Sequence, residues 1–151
     1  MISVDVDGIA DVNLMLSNLS EIDTLAVDFR RLALKAKENI TRRTGEGRDA
    51  RGLAFTPYSA SYLEYKEARA GRTVSNVDLY DSGNMADSIL VEGNNTGSRV
   101  FFADALNEKK ARKHNQGIGV PSRVFFALNE SDADEIIQLA ARDIDNFLSG
   151  L

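Results

Sequence analysis

Apolar and polar positions recur along this chain with two periods, and each change of period marks an element. Ile2, Val4 and Val6 alternate with Ser3 and Asp5, the period of a short strand with one apolar face, and Asp7-Gly8 ends it. Ile9, Val12, Leu14, Leu16 and Leu19 predict a short helix that Ser20 interrupts. Ile22, Leu25, Ala26, Phe29, Leu32, Ala33, Ala36 and Ile40 then recur three and four apart. That spacing predicts one amphipathic helix of about 24 residues, capped by Ser20 with Asp23 and stopped at Gly45 behind the basic pair Arg42-Arg43.

Residues 45–57 break the periodicity for longer than a connector needs. Ser59 caps a second helix running to about Arg69 and ended by Ala70-Gly71, and a polar stretch follows to Asp78. Segments 45–57 and 70–78 are expected to be mobile loops. After a turn at Leu79–Gly83 and a short helical piece over Asn84–Ser88, two β-rich runs, Ser88–Glu92 and Ser98–Phe102, flank Gly93-Asn94-Asn95-Thr96-Gly97. They predict an antiparallel hairpin. Residues 105–115 fit a helix or helical turn, and Val124–Leu128 form an apolar run that is strand or loop against the hairpin. Asn129 or Ser131 caps a terminal helix with Ile136, Ile137, Ala140, Ile144, Phe147 and Leu148 on one face. Short strands among amphipathic helices predict an α+β fold: a small antiparallel sheet packed against a long N-terminal helix and a C-terminal helix, with extended loops.

Length and composition narrow the chemistry. The chain of 151 residues is expected to form a single domain over 1–151, and 43% hydrophobic with 27% charged residues suits a folded one. Cysteine is absent and histidine occurs once, at His114, which excludes disulfides, thiolate zinc sites, cysteine nucleophiles and paired-histidine catalysis. The opening Met1–Asp5 has neither a basic nor an apolar leader region, and no apolar run is long enough to span a membrane. No cofactor or metal is expected, since no tight loop collects oxygen ligands and Gly45–Gly52 lacks the Gly-Lys-Ser/Thr of a phosphate loop.

The net charge of −5 is unevenly spread: residues 30–72 sum to +6 and the remainder to −11. A basic middle between acidic ends suits head-to-tail contact between copies. They also leave open a DNA-binding accessory protein that uses Arg42, Arg43, Arg48 and Arg51 of the basic 42–51 loop. The carboxylates at Asp132 and Asp134 are expected to favour the dipole of the last helix. A hydrolase would need Asp81, Asp87 and His114 to converge in one pocket, and no Gly-x-Ser-x-Gly elbow supports one. The residues alone point to no enzyme.

Three stretches, in their order, carry a resemblance. Gly47-Arg48-Asp49 leads through Phe55-Thr56-Pro57-Tyr58-Ser59 to Tyr62 and Lys66. Leu79-Tyr80-Asp81-Ser82-Gly83-Asn84-Met85-Ala86-Asp87-Ser88-Ile89 follows. Ala111, His114-Asn115-Gln116-Gly117 and Val120-Pro121-Ser122-Arg123-Val124-Phe125-Phe126 complete the set. Together they resemble the virion-morphogenesis family of tailed bacteriophages, the tail-completion or head–tail joining proteins of the neck. The resemblance implies a structural virion protein that is not an enzyme. Such a protein would assemble as a homo-oligomeric ring, expected to be a hexamer, at the neck or tail top. Its partners would be the head-connector and the tail-tube or tail-terminator proteins, with DNA passing through the channel without specific binding. Arg42, Arg43, Arg48, Arg51, Phe55, Tyr58, His114, Asn115 and Arg123 are the expected subunit or partner contacts. The protein would then reside in the virion, after assembly in the host cytoplasm.

Overall fold

The computed structural model describes residues 27–94 and 97–150. The strand expected over 2–6, the helix over 9–19 and the cap at Ser20 lie outside them. Helix α1 spans Phe29–Gly45. It does not run on from Ile22 as its period predicts, because Val27 and Asp28 are not helical. Asp28 is its N-cap and accepts from the Arg31 amide at 3.1 Å. Apolar spacing continues through a cap without registering it, so periodicity alone overran the start.

The remaining elements are α2 (Ala60–Ala70), a single turn α3 (Asn84–Asp87), strands β1 (Ile89–Asn94) and β2 (Gly97–Phe102), α4 (Ala105–Gln116) and α5 (Glu130–Ser149). Ser59 caps α2 and Gly71 closes it in the left-handed conformation, as the sequence predicts. Asn129, rather than Ser131, caps α5 in a reciprocal box with Asp132. The two strands pair antiparallel, Ile89 opposite Phe102 and Asn94 opposite Gly97. The Val124–Leu128 run is loop, and Phe126 packs its ring on Phe102 of β2 at 4.8 Å.

Helix α1 organises the α+β fold. Phe29, Leu32, Ala33, Ala36 and Ile40 are fully buried, meeting the inward hairpin residues Ile89, Val100 and Phe102 and the α5 residues Ile136 and Ala140. The hairpin and α5 both pack principally on α1, so the terminal helix covers α1 rather than the sheet. Close approach demands a glycine at one point. A Cβ on Gly93 would stand 2.6 Å from the Arg30 Cα, so α1 lies directly on β1 there.

The α1–α5 contact is also electrostatic. Arg31 pairs with Asp143, Lys35 with Glu135 at 3.2 Å and Arg43 with Asp132, while Asn39 donates to Glu135 at 3.2 Å. Arg43 and Asp132 are both buried, and the Arg43 guanidinium also donates to the Ala127 carbonyl. Among the described residues, no helix is long and apolar enough to cross a membrane.

Candidate functional site

The segment after α1 is not a free arm. Asp49 is buried at its centre, and its carboxylate accepts from the amides of Arg51 and Leu53, each at 2.9 Å. Asp49 N donates to the Leu53 carbonyl, Phe55 N to Gly47 and Ala50 N to Val124. A single carboxylate taking two amides two and four residues on closes this loop, so residues 47–55 are tied down instead of waiting for a partner. Leu53 is left exposed at its tip.

Tyr58 begins a second bonded unit. Its hydroxyl accepts from Lys66 Nζ at 3.3 Å and from Leu79 N at 3.2 Å, and donates to Asp78 at 3.4 Å. Lys66 is buried and also donates to Asp78 and to the Tyr80 carbonyl. Burial alone would lower the Lys66 ammonium, but its bonds to Asp78 and Tyr58 outweigh that and hold it above its ordinary range. The same exchange holds Asp78 below the usual carboxylate range against the pull of burial. This network pins α2 to the 78–80 segment, whose Leu79 takes the uncommon φ of 54°.

The third unit is built by α4. The Asn115 side chain acts like a piece of strand: its oxygen accepts from Phe125 N and Phe126 N, and its amide donates to the Phe126 carbonyl at 3.1 Å. Arg123 N donates to the His114 carbonyl at 2.7 Å. These bonds explain the spacing of His114-Asn115 and Arg123–Phe126: one short loop is stapled to the helix end. Arg123 then crosses beneath Tyr58, its Nε donating to the Thr56 carbonyl at 2.9 Å and Nη2 to Pro57 at 3.1 Å.

The three units meet around a cleft of about 530 Å3, walled by Tyr58 and Tyr62, by Leu79, Asp81, Ser82 and Met85, and by Lys110, His114, Val120, Pro121 and Arg123. Each of the three sequence stretches contributes a wall. At Gly83 a Cβ would approach the Tyr80 hydroxyl to 2.6 Å, and φ is 84°, so a glycine shapes this corner.

Electrostatically the cleft is cationic at its floor. Arg123 is 4% exposed, and burial pushes its guanidinium below the ordinary arginine range. His114 Nδ1 is buried with no hydrogen-bond partner. Burial first, and the Arg123 charge second, hold the imidazole below its ordinary value. Asp81 shares the cleft with His114, yet no carboxylate is among the groups that shift the imidazole. Asp87 is not a wall of the cleft. A carboxylate beside the imidazole would raise it instead. Among the described residues, no cluster of acidic and histidine side chains is arranged to hold a metal.

The nine expected contact residues divide sharply. Tyr58, His114 and Arg123 line the cleft. Asn115 and Phe55 are buried supports behind it. Arg43 is buried in the α1–α5 seam. Arg42 is exposed and paired with Glu46 one turn on, Arg51 is paired with Asp49, and exposed Arg48 donates to the Gly52 carbonyl. The expected basic surface is therefore largely paired within the chain, mostly at the surface: Arg31, Lys35, Arg42, Arg43, Arg51, Lys66 and Arg69 all meet carboxylates of the same chain, and of these Arg43 and Lys66 are buried. Sequence reasoning missed Lys110 as a cleft residue; of the Asp81, Asp87 and His114 set that a hydrolase would need, Asp81 and His114 line the cleft and Asp87 does not. No protein-family model, curated protein or solved structure matches the chain.

Proposed function

We propose that this chain is a structural virion protein of a tailed phage, a subunit of the ring that completes the tail and joins it to the head. One observation carries the reading. Three stretches separated in sequence by about thirteen residues and more, and read together as the marks of a neck protein, fold into the walls of one cleft. Residues chosen for separate structural reasons would have no cause to converge there. In this reading the protein is not an enzyme, its partners are copies of itself and the adjoining connector and tail proteins, and it resides in the virion.

Charge contributes less to the proposal than the sequence suggests. Much of the +6 segment is neutralised within the chain, so ring closure would rest on cleft contacts more than on opposed basic and acidic halves. The same pairing speaks against the DNA-binding alternative, because Arg42, Arg43 and Arg51 already hold carboxylates. Light scattering and negative-stain imaging test the proposal, with the protein alone and mixed with the adjoining connector and tail-tube proteins. Rings or a defined complex with either partner are expected. A strict monomer that joins neither would overturn the reading.

A further inference from the structure

Three basic side chains are buried in the described residues: Arg43, Lys66 and Arg123. Arg43 faces Asp132 and Lys66 faces Asp78. Arg123 has no carboxylate partner among the described residues; carbonyls take Nε and Nη2, the Tyr58 ring lies 5.3 Å from the guanidinium, and Nη1 makes no hydrogen bond among them. A desolvated cation without a counter-ion is costly, and its natural complement is an anion brought from outside. Lys110, exposed on the cleft wall and in no ion pair among the described residues, adds a second positive charge. The unbonded His114 Nδ1 is a further vacant polar position in the same wall.

We propose that the cleft receives a carboxylate side chain presented by an extended, apolar-flanked peptide segment of a partner protein, with Arg123 and Lys110 as its cationic recognition groups. Its size is in the range of pockets that enclose a ligand. Leu79, Met85, Val120 and Pro121 supply apolar walls for the residues on either side of the acid. A planar guanidinium matches a carboxylate better than a point charge does. Asp81 also lines the cleft, and its carboxylate, only partly offset by exposed Arg69 at 3.8 Å, limits the total negative charge the cleft accepts. That disfavours a phosphodiester strand, with a charge on every nucleotide, relative to a single acid among apolar neighbours. The inference holds whether or not the chain builds a neck ring, since any partner with such a segment would satisfy it.

His114 is the sole histidine, so its imidazole resonances report on the cleft without ambiguity. The test titrates the full chain with acetyl-Val-Asp-Val-amide and follows those resonances by NMR. Parallel titrations use acetyl-Val-Asn-Val-amide, inorganic phosphate and a short DNA duplex. The aspartyl peptide is expected to shift the resonances saturably and raise the imidazole titration midpoint, and the asparaginyl peptide to bind about tenfold more weakly. Arg123→Gln also removes the bonds to Thr56 and Pro57 and endangers the fold, so the exposed positions carry the decision. Lys110→Glu is expected to weaken the aspartyl peptide about fivefold and Asp81→Asn to tighten it about threefold. No saturable shift, equal binding of the asparaginyl peptide, stronger response to phosphate or duplex, or indifference to both substitutions would overturn the proposal. Ring formation is measured separately, so failure of either reading leaves the other standing.

Discussion

The α1–α5 seam and the cleft are both charged, and they treat charge in opposite ways. In the seam each cation meets a carboxylate, Arg31, Lys35 and Arg43 of one helix facing Asp143, Glu135 and Asp132 of the other. Only Arg43 Nε and Asn39 Oδ1 lack a partner there among the described residues. In the cleft neither Arg123 nor Lys110 forms a salt bridge among the described residues, and only Lys110 feels a carboxylate, that of Asp104. Buried charge that finds its partner inside the chain is architecture. Buried charge that does not is an invitation to something outside it. The difference cautions against reading function from where charge lies along a sequence, because seven of the eleven basic residues of segment 30–72 already meet carboxylates of the same chain.

The largest expected effect would break the closed side of this contrast. Asp132 accepts from buried Arg43 and from Asn129 N, so Asp132→Ala leaves a buried guanidinium unpaired and opens the α5 capping box. A loss of about 3–5 kcal/mol is expected in urea unfolding. Arg43→Met with Asp132→Leu should recover most of it, since a packed apolar pair replaces a desolvated ionic one. A single-variant loss below about 1 kcal/mol, the scale of an exposed pair, would show that the seam is not closed.

Helix α1 is pressed onto the hairpin as well as onto α5, and Gly93→Ala tests that contact. The added methyl meets Arg30 backbone at 2.6 Å, which cannot yield as a flexible side chain would. We expect about 1–3 kcal/mol of destabilisation from this overpacking, read as a shift in the thermal midpoint. An unchanged midpoint would mean that helix and strand are not held this closely.

Local signals were legible where the physics is local. Ser59, Gly71 and Asn129 announce helix ends through groups one turn away, and the Gly93–Gly97 turn announces the hairpin. What was not legible depends on partners far along the chain. Arg43 reads as the basic end of a helix, and nothing near it reveals Asp132, 89 residues on. Asp28 interrupts a helix whose apolar spacing carries on regardless. Asp49 reads as one more polar residue in a glycine-rich loop, although one of its oxygens takes two amides and holds that loop shut. The cleft was half legible: Tyr58, His114 and Arg123 came from the ordered stretches, while Lys110 is an ordinary surface lysine until α4 places it on the cleft wall.

A smaller effect sharpens the open side. The folded pKa of His114 lies below its ordinary value, through burial first and the Arg123 charge second. The unfolded chain therefore takes up the proton first, and stability is full above the ordinary histidine value and falls as pH drops through it. Urea midpoints measured from pH 7 to pH 5 should decline in the native chain, and His114→Gln should flatten that part of the decline. A saturating carboxylate peptide should flatten it too, by compensating Arg123. An equal slope in both proteins would show that His114 is not held in a desolvated, cationic wall.

The smallest effect is expected where the sequence placed the most weight. Arg42 and Arg51 are exposed and satisfied by Glu46 and Asp49, and Arg48 holds a carbonyl of its own loop. Arg42→Gln, Arg48→Gln and Arg51→Gln should each change stability by no more than about 0.5 kcal/mol. Combined, they should leave duplex binding unchanged, because a side chain that would have to abandon a carboxylate gains little from a phosphate. Electrophoretic mobility shifts across salt concentrations decide it. A salt-dependent affinity in the native chain that disappears in the triple variant would mean that these arginines belong with the open charges of the cleft, and the division between closed seam and open site would have to be redrawn around the 42–51 loop.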